Sequence, residues 1–267
     1  NILGNTTKKT KKVGSFLLTY AQPGTGKTTL VADAVKEAGD KGLYITCVED
    51  GLSDLQSKGE LDGVNRYSDI IKTYADKMDK DGNVVAPGLV SIVRGLAKLG
   101  MDGELPYTTI GIDSVNLIME SMKDYCFKKY FPLSEYANSI DKARGAAFGF
   151  GENGITAYMV SDFNSNIMNP IMYLKDECGV NIILTAHEGK TKIEMKDGTK
   201  YDKVSPALPS VGKNSMTDLV VSQASSVFYG AFDERVMSDG NKKRAISGSG
   251  TERVTYLHGD ATFFAKT

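Results

Sequence analysis

Two kinds of apolar pattern alternate along most of the chain. The first is the short continuous run that reads as a buried strand: Phe16-Leu17-Leu18-Thr19-Tyr20, then Leu43-Tyr44-Ile45-Thr46-Cys47-Val48 opened by Gly42. A third, Tyr107-Thr108-Thr109-Ile110-Gly111-Ile112, stops at Asp113-Ser114, and a fourth, Asn181-Ile182-Ile183-Leu184-Thr185, stops at Ala186-His187-Glu188. The second kind has helical spacing. It covers Thr29–Ala38, Leu89–Leu99 with Leu89, Ile92, Val93, Leu96 and Leu99 on one face, and Val115–Phe131. A longer helical pattern, Ile155–Cys178, is predicted to break near Pro170, which lacks the N–H an α-helix needs. Polar residues 52–83 carry a turn signal at Asp81-Gly82, and strand-like runs close the chain at Ser226–Phe232, Ala245–Ile246, Arg253–Leu257 and Thr262–Lys266.

The first strand pattern breaks into Ala21-Gln22-Pro23-Gly24-Thr25-Gly26-Lys27-Thr28, and a helix pattern follows at once. This is a P-loop in the strand, glycine turn and helix context that the motif requires, with Ala21 where the strict pattern has glycine. Gly24 and Gly26 let successive N–H groups point inward at phosphate oxygens, and the positive end of the following helix favours the anion. The expected nucleotide contacts are therefore Gln22, Pro23, Gly24, Thr25, Gly26, Lys27, Thr28 and Thr29, with Lys27 on the β- and γ-phosphates and the Thr28 hydroxyl on Mg²⁺. Asp113 ends an apolar strand downstream of the P-loop and is the expected second Mg²⁺ residue, acting through water. Glu49 and Asp50 follow the second strand, where α/β sheets bind ligands. Glu49 is the expected base for the attacking water, with a plain helix cap as the alternative. His187, at the end of the fourth strand, is placed to sense the γ-phosphate, with a structural histidine as the alternative.

At 267 residues, with 41% hydrophobic and 24% charged residues, the chain suits one large globular domain, here 13–267 after a basic lead-in at 1–12. A net charge of −1 excludes a global basic field, so contacts to nucleic acid have to come from local patches. Cys47, Cys126 and Cys178 are scattered and odd in number, which argues against a zinc site or a disulfide framework. The absence of a signal peptide and of a membrane-length apolar run points to a soluble, cytoplasmic protein with no membrane partner. Three basic stretches stand out. Residues 1–12 hold Lys8, Lys9, Lys11 and Lys12. Residues 134–154 hold Lys142, Arg144, Phe148 and Phe150 in a long loop. Residues 189–216 hold Lys190, Lys192, Lys196, Lys200, Lys203 and Lys213 around a hairpin tip at Asp197-Gly198. A solvated surface hairpin is the alternative reading of the last.

With these pieces in order, the chain resembles the RecA-like ATPases, and within them the phage-encoded, single-domain ATP-binding single-strand annealing proteins of the Sak-four type. The residues that carry the resemblance are Ala21–Thr28, Glu49, Ile110–Ser114, Ile182–Glu188, Val227-Phe228-Tyr229 and Phe264-Ala265-Lys266. It implies an α/β fold, a RecA-like P-loop NTPase core with a mostly parallel twisted sheet and helices on both faces. It implies ATP and Mg²⁺ at the strand carboxyl ends, and a slow ATPase stimulated by single-stranded DNA and used for annealing or strand pairing in recombination. Loops 134–154 and 189–216 would face the DNA, through Lys142, Arg144, Lys192, Lys196 and Lys200. A homo-oligomeric ring or filament is implied, with Lys266 acting on the ATP of a neighbouring subunit. A single-strand DNA-binding protein is an implied partner, and the host cytoplasm is the setting if the protein is phage-encoded. One departure is Gln223-Ala224-Ser225, where the family often has an acid. Two other readings stay open. A small-molecule P-loop kinase would need an arginine-rich lid, and arginines are sparse here. A non-catalytic nucleotide-gated scaffold would not need Glu49.

Overall fold

Strands this apolar are stable only when covered on both faces, and five of them pair in parallel to form the centre of the molecule. The computed structural model describes residues 12–47, 56–57, 59, 61–130, 151–194, 197–211, 213–232, 234–239, 242–247 and 252–267. In chain order the leading elements are β1 (Phe16–Ala21), α1 (Lys27–Glu37), β2 (Gly42–Thr46), the small hairpin β3 (Lys77–Met78) and β4 (Val84–Ala86), α2 (Leu89–Met101) and β5 (Thr109–Asp113). After a 3₁₀ turn at Val115–Ile118 come α3 (Met119–Tyr130), α4 (Gly151–Phe163) and α5 (Asn169–Asp176). The chain ends with β6 (Asn181–Glu194), β7 (Lys200–Pro206), β8 (Ser210–Val211), β9 (Asn214–Ser215), α6 (Met216–Gln223), β10 (Ser226–Phe232), β11 (Glu234–Asp239), β12 (Lys242–Ser247) and β13 (Arg253–Tyr256).

The seven-stranded sheet runs β13-β10-β1-β6-β5-β2, with β7 paired to the far part of β6. The pairs β10/β1, β1/β6, β6/β5 and β5/β2 are parallel, and β13 closes one edge antiparallel. The P-loop strand is thus central, and β6 separates it from the strand that ends in Asp113. This is the mostly parallel α/β sheet that the resemblance implies.

Side chains alternate between the two faces, as the pleat demands. Phe16, Leu18, Tyr20, Ile110, Ile112, Ile182 and Leu184 join a large core beneath α2 to α6, where Ile92, Met122, Phe163, Ile171 and Val220 are buried. Leu17, Tyr44 and Ile183 face the other way, against Val31, Ala32 and Val35 of α1. Helices therefore cover both faces. α1 sits close because β5 offers it no side chain at position 111: a methyl group on Gly111 would lie 2.2 Å from Val31 Cγ1. On the other face Asp162 of α4 is buried and accepts hydrogen bonds from Tyr74 (3.0 Å), Lys129 (2.7 Å) and Tyr130 (2.6 Å), tying α4 to α3.

Three sequence expectations shift. The break near Pro170 is a π-helical turn at Asn164–Met168, and Pro170 itself sits in the first turn of α5, where a missing N–H costs nothing. The fourth strand does not stop at Thr185. It runs on as β6 to Glu194 and folds back as β7, around a tip where Gly198 has φ 83° and Asp197 accepts from the Thr199 N–H. The apolar run ends where β6 leaves the doubly covered sheet, not where the strand ends. Thr262–Lys266 forms isolated bridges rather than a strand, pairing Phe263 with Val204 and Lys266 with Val227. No helix among the described residues is long and apolar enough to cross a membrane.

Gly111→Ala is expected to destabilise the protein by about 1–3 kcal/mol, because the added methyl must push α1 off the sheet. Urea unfolding checks this, and an unchanged midpoint would contradict the packing of α1 on β5.

Candidate nucleotide site

Parallel register brings the carboxyl ends of the central strands into one row. Ala21 pairs with His187 on one side and Gly230 on the other, and Thr46 pairs with Asp113. The P-loop leaves this row from Ala21. Gly24 and Gly26 adopt φ 82° and 97°, in the left-handed region that only glycine enters without strain, and no side chain caps α1 at Gly26. The first N–H groups of α1 are left for an anion. The Thr25 hydroxyl donates to Gln22 O (2.8 Å), and the Lys27 ammonium folds back to donate to Ala21 O (2.8 Å) and Gln22 O (2.9 Å). Pro23 and Gly24 are exposed at the crest, and Thr28 and Thr29 are half-buried at the start of α1.

Opposite Thr28 stands Asp113, only 2% exposed. The Tyr44 hydroxyl donates to Asp113 Oδ2 at 2.7 Å and also hydrogen-bonds the Thr28 side chain, while the Thr185 hydroxyl donates to Asp113 Oδ1. Tyr44 therefore joins the two expected Mg²⁺ residues. Burial drives its hydroxyl far above the ordinary tyrosine range, with the Asp113 charge adding to the effect, so it stays a donor. Burial also lowers the Lys27 ammonium, against the opposing pull of Asp113 and Glu188. His187 is lowered from its ordinary 6.5 first by burial and then by the Lys27 charge, with Asp113 opposing, so it is neutral near pH 7.

The residues fit a nucleoside triphosphate with Mg²⁺. A glycine cradle, an uncapped helix start and a lysine suit the phosphates. One hydroxyl and one carboxylate are too few to hold a metal alone, and no group of three or more His, Cys, Asp or Glu residues among those described is arranged to do so. Mg²⁺ suits such a site, because it takes few protein ligands and completes its shell with phosphate oxygens and water.

Other expected residues fall elsewhere. Glu49, Lys142, Arg144 and Lys196 lie outside the described residues. Lys192 and Lys200 are exposed on the β6–β7 hairpin. Lys192 stands across from Asp202, and Lys200 is 3.2 Å from Glu194. Lys266 is not at the P-loop edge of the sheet. It bridges to Val227, level with Leu18 in the middle of β1, and its ammonium lies 3.5 Å from Ser222 O.

Three contributors are given no site role of their own by the sequence. Tyr44 is hidden inside an apolar strand. Asn116 sits in the turn after Asp113; its side-chain oxygen accepts from the His187 N–H (2.6 Å), its amide donates to Ala207 O, and the Ala207 N–H donates to His187 O (2.8 Å). It thus pins His187 where β6 leaves the sheet. Glu188 takes the Gln22 amide (3.4 Å) and the Tyr229 hydroxyl (3.0 Å), tying the P-loop to β10.

The electrostatics make a direct prediction. The NMR titration midpoint of His187 is expected below 6.5, and Lys27→Met is expected to raise it by removing a repelling charge. A midpoint unmoved in that variant would mean the two groups are not electrostatic neighbours.

No curated protein matches the sequence. Among solved structures, a RadB recombinase aligns with a TM-score of 0.37 and 9% identity, over 82% of this chain and 76% of that one. A family model described as an AAA domain matches residues 15–267, from the residue before β1 to the last, so the protein belongs to the AAA-domain family of P-loop ATPases.

Proposed function

We propose that this protein binds ATP with Mg²⁺ at the P-loop edge, hydrolyses it slowly under stimulation by single-stranded DNA, and promotes annealing or pairing of single strands in recombination. The observation that carries the reading is the continuity of β6. One strand holds Thr185 against Asp113, passes His187 beside the P-loop lysine, and becomes the arm of the lysine-bearing hairpin. A change in phosphate occupancy at His187 would be transmitted to the hairpin through a single stiff element.

In this reading Lys27 holds the β- and γ-phosphates, Thr28 and Asp113 hold Mg²⁺, Glu49 activates water and His187 senses the γ-phosphate. Lys192, Lys196 and Lys200, with Lys142 and Arg144, track the DNA backbone. The acids beside Lys192 and Lys200 are weak competitors, since an exposed pair is worth only about 0–1 kcal/mol. The place of Lys266 supports a role between subunits. It lies about 10 Å along the strands from the P-loop, at ~3.3 Å per residue for three residues, and its ammonium rests by Ser222 O rather than at its own P-loop. In a head-to-tail ring or filament the P-loop end of one subunit meets a different end of the next.

Steady-state ATPase assays test the core of the proposal. Hydrolysis is expected to rise on addition of single-stranded DNA, and Lys27→Ala to lose tight ATP binding. Glu49→Gln is expected to keep binding while losing about 10²–10⁴-fold in turnover, the usual loss when a general base is removed. Turnover that is indifferent to DNA would remove the annealing reading.

Neutralising Lys192, Lys196 and Lys200 together is expected to weaken binding to single-stranded DNA. The slope of log affinity against log salt should flatten by roughly 0.7 for each phosphate that no longer meets a lysine. An unchanged slope in a salt titration would return the hairpin to an ordinary solvated surface.

A further inference from the structure

The roles of Asp113, Thr185 and His187 use only one flank of the P-loop. On the other flank β13 borders β10, and its first residue, Arg253, stands directly across from Phe232, the last residue of β10. Both lie against the P-loop glycines. A methyl group on Gly26 would come 3.4 Å from an Nη of Arg253, and one on Gly24 would come 3.8 Å from Phe232 Cζ. Gly26 opens α1, so the guanidinium rests beside the turn whose N–H groups are left for an anion. Arg253 is exposed, and no carboxylate among the described residues pairs with it. An arginine with no acid partner among the described residues, fixed by a strand beside a phosphate cradle, offers a rigid fork of donors suited to phosphate oxygens.

We infer that Arg253 is a second phosphate-binding cation of the nucleotide site, acting within its own subunit on the phosphates nearest the nucleoside. The inference rests on the nucleotide reading above and adds to it a residue and a direction. Sheet order supplies the direction. Asp113, Thr185 and His187 lie on β5 and β6, to one side of β1, while Phe232 and Arg253 lie on β10 and β13, to the other. The Mg²⁺ residues mark the first side as the place of the terminal phosphate. Arg253 therefore faces the part of the polyphosphate that ATP and ADP share, with Phe232 as the apolar wall beside it. A contact made equally before and during reaction strengthens binding without speeding the chemical step.

The experiment compares Arg253→Ala, Arg253→Lys and Lys27→Ala in the full chain, by calorimetric titration with ATP and with ADP and by the kinetics of ATP hydrolysis. Arg253→Ala is expected to weaken ATP and ADP alike by about 10-fold, the scale of one charge-assisted hydrogen bond, and to raise KM in step while kcat moves much less. Arg253→Lys is expected to recover part of the loss, because the charge remains and the fork does not. The urea midpoint should stay put, since the side chain is exposed. A loss confined to ATP, or a fall in kcat at constant KM, overturns the assignment to the shared phosphates. Unchanged affinity for both nucleotides, while Lys27→Ala abolishes binding, overturns the inference alone. Full affinity in Lys27→Ala overturns the nucleotide reading and this inference with it.

Discussion

A buried carboxyl group at the end of β5 sets the terms for the rest of the site. Asp113 is almost wholly out of water, and a charged group there is costly unless donors surround it. They come from the strands on either side: the Tyr44 hydroxyl from β2 and the Thr185 hydroxyl from β6. The attraction of Lys27 reaches it from α1. Each donor is placed by parallel register, so strand order and site electrostatics are one constraint. Slipping β6 by one residue would turn Thr185 to the other face and strand the acid.

The same packing positions the phosphate cradle. α1 lies flat on β5 because Gly111 leaves room for Val31, and this brings Thr28 within reach of Tyr44. Tyr44 shows how the two sides of the chemistry meet. It is a core residue by burial and a site residue by its hydroxyl, and its raised pKa keeps it a donor at any pH the protein would meet. Asn116 does comparable work at the point where β6 changes from sheet strand to hairpin arm. Its single side chain joins the turn after Asp113, the backbone of His187 and the returning chain at Ala207.

Much of this is legible in the amino-acid sequence. The P-loop announces itself because its chemistry is local: two glycines, a lysine and a threonine within eight positions, flanked by a strand and a helix. Asp113, the hairpin at Asp197-Gly198 and the helix over Leu89–Met101 are likewise readable, since each depends on a short period or a single turn. Strand length is less legible. The apolar run of β6 reports where burial ends, and hydrogen bonding carries the strand nine residues further, from Thr185 to Glu194.

Residues brought together from distant parts of the chain give no such signal. Tyr44 and Asp113 are 69 positions apart, and Asn116 and His187 are 71 apart. Arg253 reaches the P-loop only because β13 takes the edge beyond β10, and nothing in its neighbours Glu252 and Val254 hints at phosphate. Local pattern decided the elements and the phosphate chemistry, because helix period, strand period and turn geometry are properties of a few adjacent residues. Strand order and register decided which side chains share Asp113, which end of the sheet holds Lys266 and which flank of the P-loop holds Arg253, because those depend on pairing between segments that only the folded chain brings side by side.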